Sequence, residues 1–327
     1  MTEPGREALR VGAVVRDPLP WPELREVVET VDLTGYEAVF VPEIDAREAF
    51  ATLAGFAVVT SRVRLGTGVV DLRSRSPAAV AMAAATLQEL SGGRLVLGLG
   101  SGSLPPGRET LETVRAYVAT VRAALAGETV RAERFGVPRF RLDLEPLPPP
   151  PPIWLGALGD RMLEVAARVA DGAILNWCTP ERAARARRVL DRAARQAGRD
   201  PSRLTLAVYV RCCLGVAERV AMESLREMTG RYAALPQYLR QFEAMGLGEE
   251  ARLAAKAFAE GRPQDVPETL VRAVAVTGGR REAMERFEQF RRAGADVVFC
   301  YPVATLDRFS SVLGTLMAAA PNPAVER

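Results

Sequence analysis

Residues Arg64–Ser103 read RLGTGVVDLRSRSPAAVAMAAATLQELSGGRLVLGLGSGS. Two short apolar runs, Leu65–Val70 and Leu95–Leu99, each end in glycine-rich backbone, and a helix-like run lies between them. Strand, helix and parallel strand in that order make a β-α-β unit. The glycines leave the strand ends bare, so a ligand can lie directly against main chain. A second such place is Pro151–Trp177, PPIWLGALGDRMLEVAARVADGAILNW. There a strand stops at Gly156, a helix begins near Gly159 and another strand follows Asp171. The two places together predict a repeating β/α enzyme with a phosphate-bearing cofactor.

The same rhythm runs outward in both directions. Short apolar strands are expected at Val11–Val15, Ala38–Val41, Leu65–Val70, Leu95–Leu99, Ile153–Leu155, Ala173–Asn176, Leu204–Leu214 and Val297–Tyr301. A helical pattern follows nearly every one. Trp21-Pro22 opens the first helix and Gly35 stops it, Asp45 is placed to cap the second, and Pro77 suits the first turn of the third. Between Glu128 and Pro152 the pattern lapses: Phe140–Leu144 reads as an edge strand, and Pro148–Pro152 as extended polyproline acting as a stiff crossover. A long helical stretch from Val220 to about Arg272 is an insertion. Strand–helix alternation gives parallel neighbours and right-handed crossovers. Eight units close into an α/β (β/α)8 TIM barrel, here one domain over residues 1–327 with a late helical insertion at roughly 220–272. An open doubly wound sheet shares the alternation, but no dinucleotide fingerprint opens the chain, which favours the barrel.

Composition removes many chemistries. The 327 residues contain no histidine, so Ser-His-Asp triads, Cys-His pairs and HExxH zinc sites are excluded. Lys256 is the only lysine, and it sits in a polar helical run, poorly placed for Schiff-base work. Net charge is +3, with arginines interleaved with Asp and Glu rather than gathered in a stripe, so no nucleic-acid partner is expected. Cys178, Cys212, Cys213 and Cys300 show no CxxC spacing and read as buried apolar residues; Cys212 and Cys213 should face opposite sides of a strand. No metal site is expected. The polar opening MTEPGREALR is no signal peptide, and no apolar run reaches the roughly 20 residues of a membrane span. A soluble cytoplasmic protein is the expectation.

In a barrel the ligand face lies at the C-terminal ends of the strands. Those ends carry Arg16-Asp17, Glu43, Gly68-Val69-Val70-Asp71, Gly100-Ser101-Gly102-Ser103, Ala157-Leu158-Gly159, Asn176-Trp177, Arg211 and Tyr301. Glycine and small residues dominate, which suits a large planar cofactor that brings its own chemistry. Gly156-Ala157-Leu158-Gly159 precedes a helix, whose free amides and dipole can hold a phosphate; a tight turn without ligand is the plainer reading, and Asp160 next door would repel an anion or simply cap the helix. Gly98–Gly102 is too short a match to GxGxxG to identify a nucleotide site. Ser91-Gly92-Gly93-Arg94 stops a helix on the opposite face and belongs to folding. Glu43 is either a reactive carboxylate or the partner of an arginine.

The stretch RLGTGVV…SRSPAAVAMAAATLQELSGGRLVLGLGSG resembles the bacterial luciferase-like monooxygenase superfamily. PPIWLGALGDRMLEVAARVADGAILNW and GGRREAMERFEQFRRAGADVVFCYPV are similar to its later half. The likeness covers roughly residues 10–305 and is greatest to the deazaflavin-dependent branch that includes methylenetetrahydromethanopterin reductase. It implies a (β/α)8 barrel that binds coenzyme F-420, a deazaflavin, or alternatively FMN at the C-terminal mouth. It implies a non-proline cis peptide at Gly68-Val69 backing the ring. It also places Gly100, Ser101 and Gly102 in the pocket lining and the phosphate on Ala157, Leu158 and Gly159. Asn176 is added to the cofactor-contacting set from its strand end. The sequence departs from the pattern in having Glu43-Ile44 where many relatives carry an acid-His pair. Where many deazaflavin-dependent relatives carry an acid soon after the fourth-strand glycines, Ser101-Gly102-Ser103 is followed by LPPG, and a Trp-His-Gly element is shortened.

The implied function is hydride transfer between coenzyme F-420 and an organic substrate, with Glu43 and Ser103 as the polar groups beside the reacting centre. An FMN-dependent monooxygenase, which would need a reductase partner and dioxygen, is the second reading. A barrel that binds its cofactor without turnover is the third. The partners expected are a small-molecule substrate and a second copy of the chain in a homodimer.

Overall fold

The computed structural model describes residues 9–102, 104–145 and 148–322. Eight parallel strands close into a barrel: β1 (Arg10–Val14), β2 (Ala38–Val41), β3 (Arg64–Thr67), β4 (Leu95–Gly100), β5 (Ile153–Gly156), β6 (Gly172–Asn176), β7 (Thr205–Leu214) and β8 (Val297–Pro302). Each pairs with the next, and β8 pairs with β1, closing the ring. Helices α1 (Trp21–Leu33), α2 (Ala49–Val59), α3 (Pro77–Leu90), α4 (Arg108–Leu125), α5 (Asp160–Val169) and α6 (Pro180–Gln196) follow the first six strands. Four helices then run in series, α7 (Glu218–Ala233), α8 (Pro236–Ala244), α9 (Gly248–Ala259) and α10 (Glu268–Val274), before α11 (Arg280–Arg292), β8 and α12 (Arg308–Ala319). The fold is a (β/α)8 TIM barrel.

Three local expectations are corrected. Asp45 does not cap α2; Glu48 does, accepting from the amides of Phe50 and Ala51, because the chain turns into the helix three residues later. Asp45 instead pairs with Arg16 at 2.8 Å and Arg231 at 3.2 Å. The edge strand lies at Val137–Phe140, ending where the expected strand Phe140–Leu144 begins, and pairs with Val130–Ala132 in a hairpin outside the barrel. The proline run is not uniform polyproline, since the Pro148–Pro149 bond is cis. Its Pro149 carbonyl accepts from Gln88 Nε2 at 2.8 Å, tying the crossover to α3.

Strand alternation sorts the core into two sets. Leu65, Leu95, Leu97, Leu99, Ile153, Leu155, Val208, Val210 and Val298 face the helices. The inner set includes five rings, Phe40, Trp154, Tyr209, Phe299 and Tyr301, among smaller aliphatics. Barrel interiors are usually filled by branched aliphatics. Here rings fill space that neighbouring glycines leave. A Cβ on Gly66 would lie 2.1 Å from Phe40, one on Gly12 2.4 Å from Phe299, and one on Gly172 2.7 Å from Trp154. Cys212 and Cys213 point to different clusters, and all four cysteines are buried and unpaired.

The N-terminal end of the barrel is fastened by side chains that saturate backbone groups. Arg94 donates to the carbonyls of Ala57, Thr60, Val63 and Ser91 and to the Thr60 hydroxyl. Asp32, at the end of α1, accepts from the amides of Ser61, Arg62 and Val63 at 3.0, 2.8 and 2.7 Å. Burial alone would raise its pKa; the three amides outweigh it and hold the carboxyl below its usual range. A depressed folded-state pKa gives stability that is present above the unfolded value and lost as pH falls through the folded one. We expect Asp32→Asn to cost about 3 kcal/mol at pH 7, with the gap from wild type narrowing below about pH 4. Urea unfolding at the two pH values measures this, and a gap independent of pH would contradict the assignment. No helix among the described residues is long and apolar enough to cross a membrane.

Candidate active site

The C-terminal mouth has two unlike sides. On the β3–β5 side the inward positions are Gly68, Gly100 and Gly156, so backbone forms the surface. The Gly68–Val69 peptide is cis, and a two-residue strand, Val70–Asp71, follows it and pairs with the end of β4. Val69 spreads over the neighbouring glycines: a Cβ on Gly100 would lie 2.3 Å from its Cγ2, and one on Gly156 3.6 Å from its Cγ1. Gly68 is equally constrained, since a Cβ there would lie 2.3 Å from the Tyr209 hydroxyl reaching across the barrel. Gly102 sits at φ +56° against Asp71, whose carboxylate would be 2.1 Å from an added Cβ. The result is a low, apolar platform of Gly68, Val69, Gly100 and Gly156, with Ser101 and Gly102 at its edge.

The opposite side carries Asn176, Trp177, Arg211 and Tyr301, from the ends of β6, β7 and β8. Trp177 is fully buried and has φ +53°, making it the one non-glycine residue with positive φ among those described. Such a backbone costs about 1–3 kcal/mol and has to be held by its surroundings. Here α8 holds it: Gln241 Nε2 donates to the carbonyls of Asn176 and Trp177, and Asn176 Nδ2 donates to the Tyr238 hydroxyl at 2.8 Å. The inserted helices thereby wall the mouth. Arg211 lies with its guanidinium carbon 3.5 Å from the Tyr301 ring centre, 4.7 Å from Trp177 and 5.4 Å from Tyr232. Buried polar atoms without partners collect on this side: Asn176 Oδ1, Trp177 Nε1, Tyr209 OH, Arg211 Nη1 and Tyr301 OH. Asp17, at the end of β1, is raised above the usual carboxyl range chiefly by burial, with Arg308 and Arg16 pulling the other way.

The turn into α5 lies at the rim. Gly159 is the N-cap, makes no side-chain cap, and an added Cβ would meet nothing within 4 Å. The Ala157 amide is already used, donating to the Ile174 carbonyl at 3.0 Å. The Leu158 carbonyl accepts from Arg182 Nη2 at 2.9 Å. Asp160 does not leave the turn negative, because Arg185 meets it at 2.6 Å and Arg182 at 3.2 Å. Arg182 is buried, and its Nη1 has no partner. Two guanidiniums on one carboxylate, at a helix N-terminus, make a local positive field that suits an anion.

The remaining sequence candidates fall apart from these. Glu43 is mostly buried beside the mouth, bound to Arg75 at 2.6 Å, and Arg75 also bridges to Glu48. Ser103 lies outside the described residues. Sequence reasoning did not single out Arg182, Arg185 or Tyr209 as site residues, and it put no weight on Arg211. For Arg211 the signal was present: Ala207, Tyr209 and Arg211 alternate on one face of a strand, which puts a charge on the inner wall.

The mouth of this (β/α)8 barrel thus carries a low platform of glycine backbone and Val69, and its rim the uncapped N-terminus of α5 with Arg182 and Arg185 beside it. The chain belongs to the luciferase-like monooxygenase family, whose model matches residues 6–297. It is similar to the 5,10-methylenetetrahydromethanopterin reductase of Methanolobus tindarius, 32% identical over 187 residues, which are 54% of this chain and 56% of that protein. It is similar also to the phthiodiolone/phenolphthiodiolone dimycocerosates ketoreductase of Mycobacterium tuberculosis, 36% identical over 226 residues, 64% of this chain and 58% of that one. The match thus spans little more than half the length of these curated relatives. Among solved structures, the coenzyme F-420 dependent tetrahydromethanopterin reductase of Methanopyrus kandleri superposes with TM-score 0.79 at 19% identity, over 96% of this chain and 98% of its own. The oxygenating constituent of the 3,6-diketocamphane monooxygenase of Pseudomonas putida, solved with FMN, superposes with TM-score 0.69 at 17% identity, over 97% and 98%. At these identities the superpositions speak for the fold alone.

Proposed function

We propose that the protein is an oxidoreductase that passes a hydride between coenzyme F-420 and a small organic substrate. The observation that carries this reading is the pairing of the Gly68-Val69-Gly100-Gly156 platform with the unfilled N-terminus of α5. The unpartnered Arg182 Nη1 at that terminus fits a phosphate, and the orphaned polar atoms at the ends of β6 to β8 fit a heteroatom-bearing ligand. The curated relatives similar at 32 and 36% identity are a reductase and a ketoreductase rather than monooxygenases, which favours the hydride-transfer reading. When bound, the coenzyme supplies a two-electron hydride.

The chain's own work is holding, shielding and proton supply. Leu158, Gly159 and Arg182 hold the anionic tail, with Ala157 shaping the turn. Gly68 and Val69 back the ring, and Gly100, Ser101, Gly102 and Asn176 line its pocket. Trp177, Tyr232 and α8 keep water from the mouth, which protects a hydride from loss to solvent. Glu43, oriented by Arg75, is the proposed polar group beside the reacting centre, and Ser103 is the second. Glu43→Gln should then lower kcat about 100-fold with coenzyme affinity unchanged; full activity in that variant would remove Glu43 from the chemistry.

Titration with coenzyme F-420 and with FMN, followed by tryptophan quenching, tests the reading. Tighter binding of F-420, with hydride exchange, supports it. FMN preference with oxygen consumption would replace it with the monooxygenase reading. We also propose a homodimer. Helix α2 carries no charged residue, and Val58, Met82 and Leu90 on α2 and α3 are 74, 47 and 52% exposed. Val58→Asp with Met82→Glu should then yield a monomer in sedimentation; an unchanged sedimentation coefficient would move the interface elsewhere.

A further inference from the structure

Three arginines are more than nine-tenths buried among the described residues: Arg182, Arg187 and Arg211, at 7, 9 and 2% exposure. Two have counter-charges. Arg182 lies 3.2 Å from Asp160, and Arg187 lies 2.6 Å from Asp191 and 3.3 Å from Asp296. Arg211, the deepest, has no carboxylate within 4.0 Å among the described residues, and its Nη1 has no hydrogen-bond partner. A fixed cation buried without a counter-ion is costly. The faces of Tyr301, Trp177 and Tyr232 offset part of that cost, but a ring face does not accept the in-plane N–H bonds of a guanidinium as an oxygen does.

Beside the guanidinium lies a void of about 20 Å³, bounded by Arg16, Asp17, Arg211, Tyr232 and Tyr301 among others. That is room for one water-sized group. The Tyr301 hydroxyl at its border is also unpartnered. Arg16, on the same void, is already committed to Asp45. Asp17, on the same void, is paired with Arg308 at 3.7 Å.

We propose that Arg211, with the Tyr301 hydroxyl, receives an anionic oxygen of the substrate, so that the substrate class is a carboxylate. This rests on the proposed function only in placing the substrate at this mouth. The coenzyme is the other possible source of such an oxygen. The proposed receptor for its phosphate is the turn into α5, and the second arm below separates the two.

The test begins with cofactor-free wild-type protein, titrated with acetate and with acetamide at constant ionic strength. The reporter is tryptophan fluorescence, since Trp177 touches the guanidinium. Acetate should bind at least ten-fold more tightly than acetamide. Arg211→Met should abolish that preference, Arg211→Lys should retain part of it, and coenzyme F-420 affinity of the Met variant should stay within two-fold of wild type. Equal binding of the two probes by wild type would overturn the proposal without any variant. So would a Met variant that keeps the preference, or one that loses coenzyme affinity ten-fold. Failure of wild type to bind either coenzyme would instead strike the proposed function and leave the acetate comparison standing.

Discussion

Gly159→Asp should bind coenzyme F-420 at least 100-fold more weakly than wild type while folding at least as well. The two halves have opposite signs because they draw on different physics. At φ −106° the position suits any residue, and nothing lies within 4 Å of an added Cβ. Aspartate is moreover a better helix N-cap than glycine, worth a few tenths of a kcal/mol. Yet its carboxylate would sit where the account puts a phosphate, compete for the same amides and offset the charge of Arg182. Two like charges about 4 Å apart near a protein surface repel by about 4 kcal/mol, so the roughly 2.7 kcal/mol behind a 100-fold loss is a modest demand. Fluorescence titration and thermal melting read the two halves separately. A variant that melts lower and binds normally would contradict both. Gly159→Ala should leave affinity within a few-fold, which confines the effect to charge.

Gly98→Ala should destabilise the fold by about 3 kcal/mol. A Cβ there would lie 1.9 Å from the Thr67 carbonyl oxygen, and backbone cannot swing aside as a side-chain tip can. The same shift would break a reciprocal pair, in which Thr67 Oγ1 donates to the Gly98 carbonyl at 2.7 Å and accepts from the Gly98 amide at 2.8 Å. Gly156→Ala is the matched control, because its Cβ would meet only Val69 and a carbonyl oxygen, at 3.6 Å or more. Urea unfolding should show a large loss in the first and little in the second. Equal midpoints would mean that β3 and β4 are not packed as closely as described.

The barrel was legible because its punctuation is local. Each strand is a short apolar run ended by glycine, proline or a polar residue, and these signals do not depend on distant chain. Boundaries failed where tertiary contacts decide them. Asp45 has the chemistry of a cap, but Arg16 and Arg231, far away in sequence, claim its carboxylate. The site was legible only on its backbone side. Gly68, Gly100 and Gly159 announce themselves by residue type. Arg182 stands on a helix that reads as an ordinary solvated face, and only folding brings it to the α5 turn. The isolation of Arg211 among the described residues is likewise visible only in the folded chain.

The central claim is that a tricyclic redox coenzyme lies on the platform at the mouth with its anionic tail at the start of α5. A crystal structure of the protein with coenzyme F-420 tests it most directly. Ring density is expected against Val69 and Gly100, and phosphate density at the amides of Leu158 and Gly159 beside Arg182. A mouth filled by Trp177, Arg211 and Tyr232, with coenzyme bound elsewhere or not at all, would contradict it.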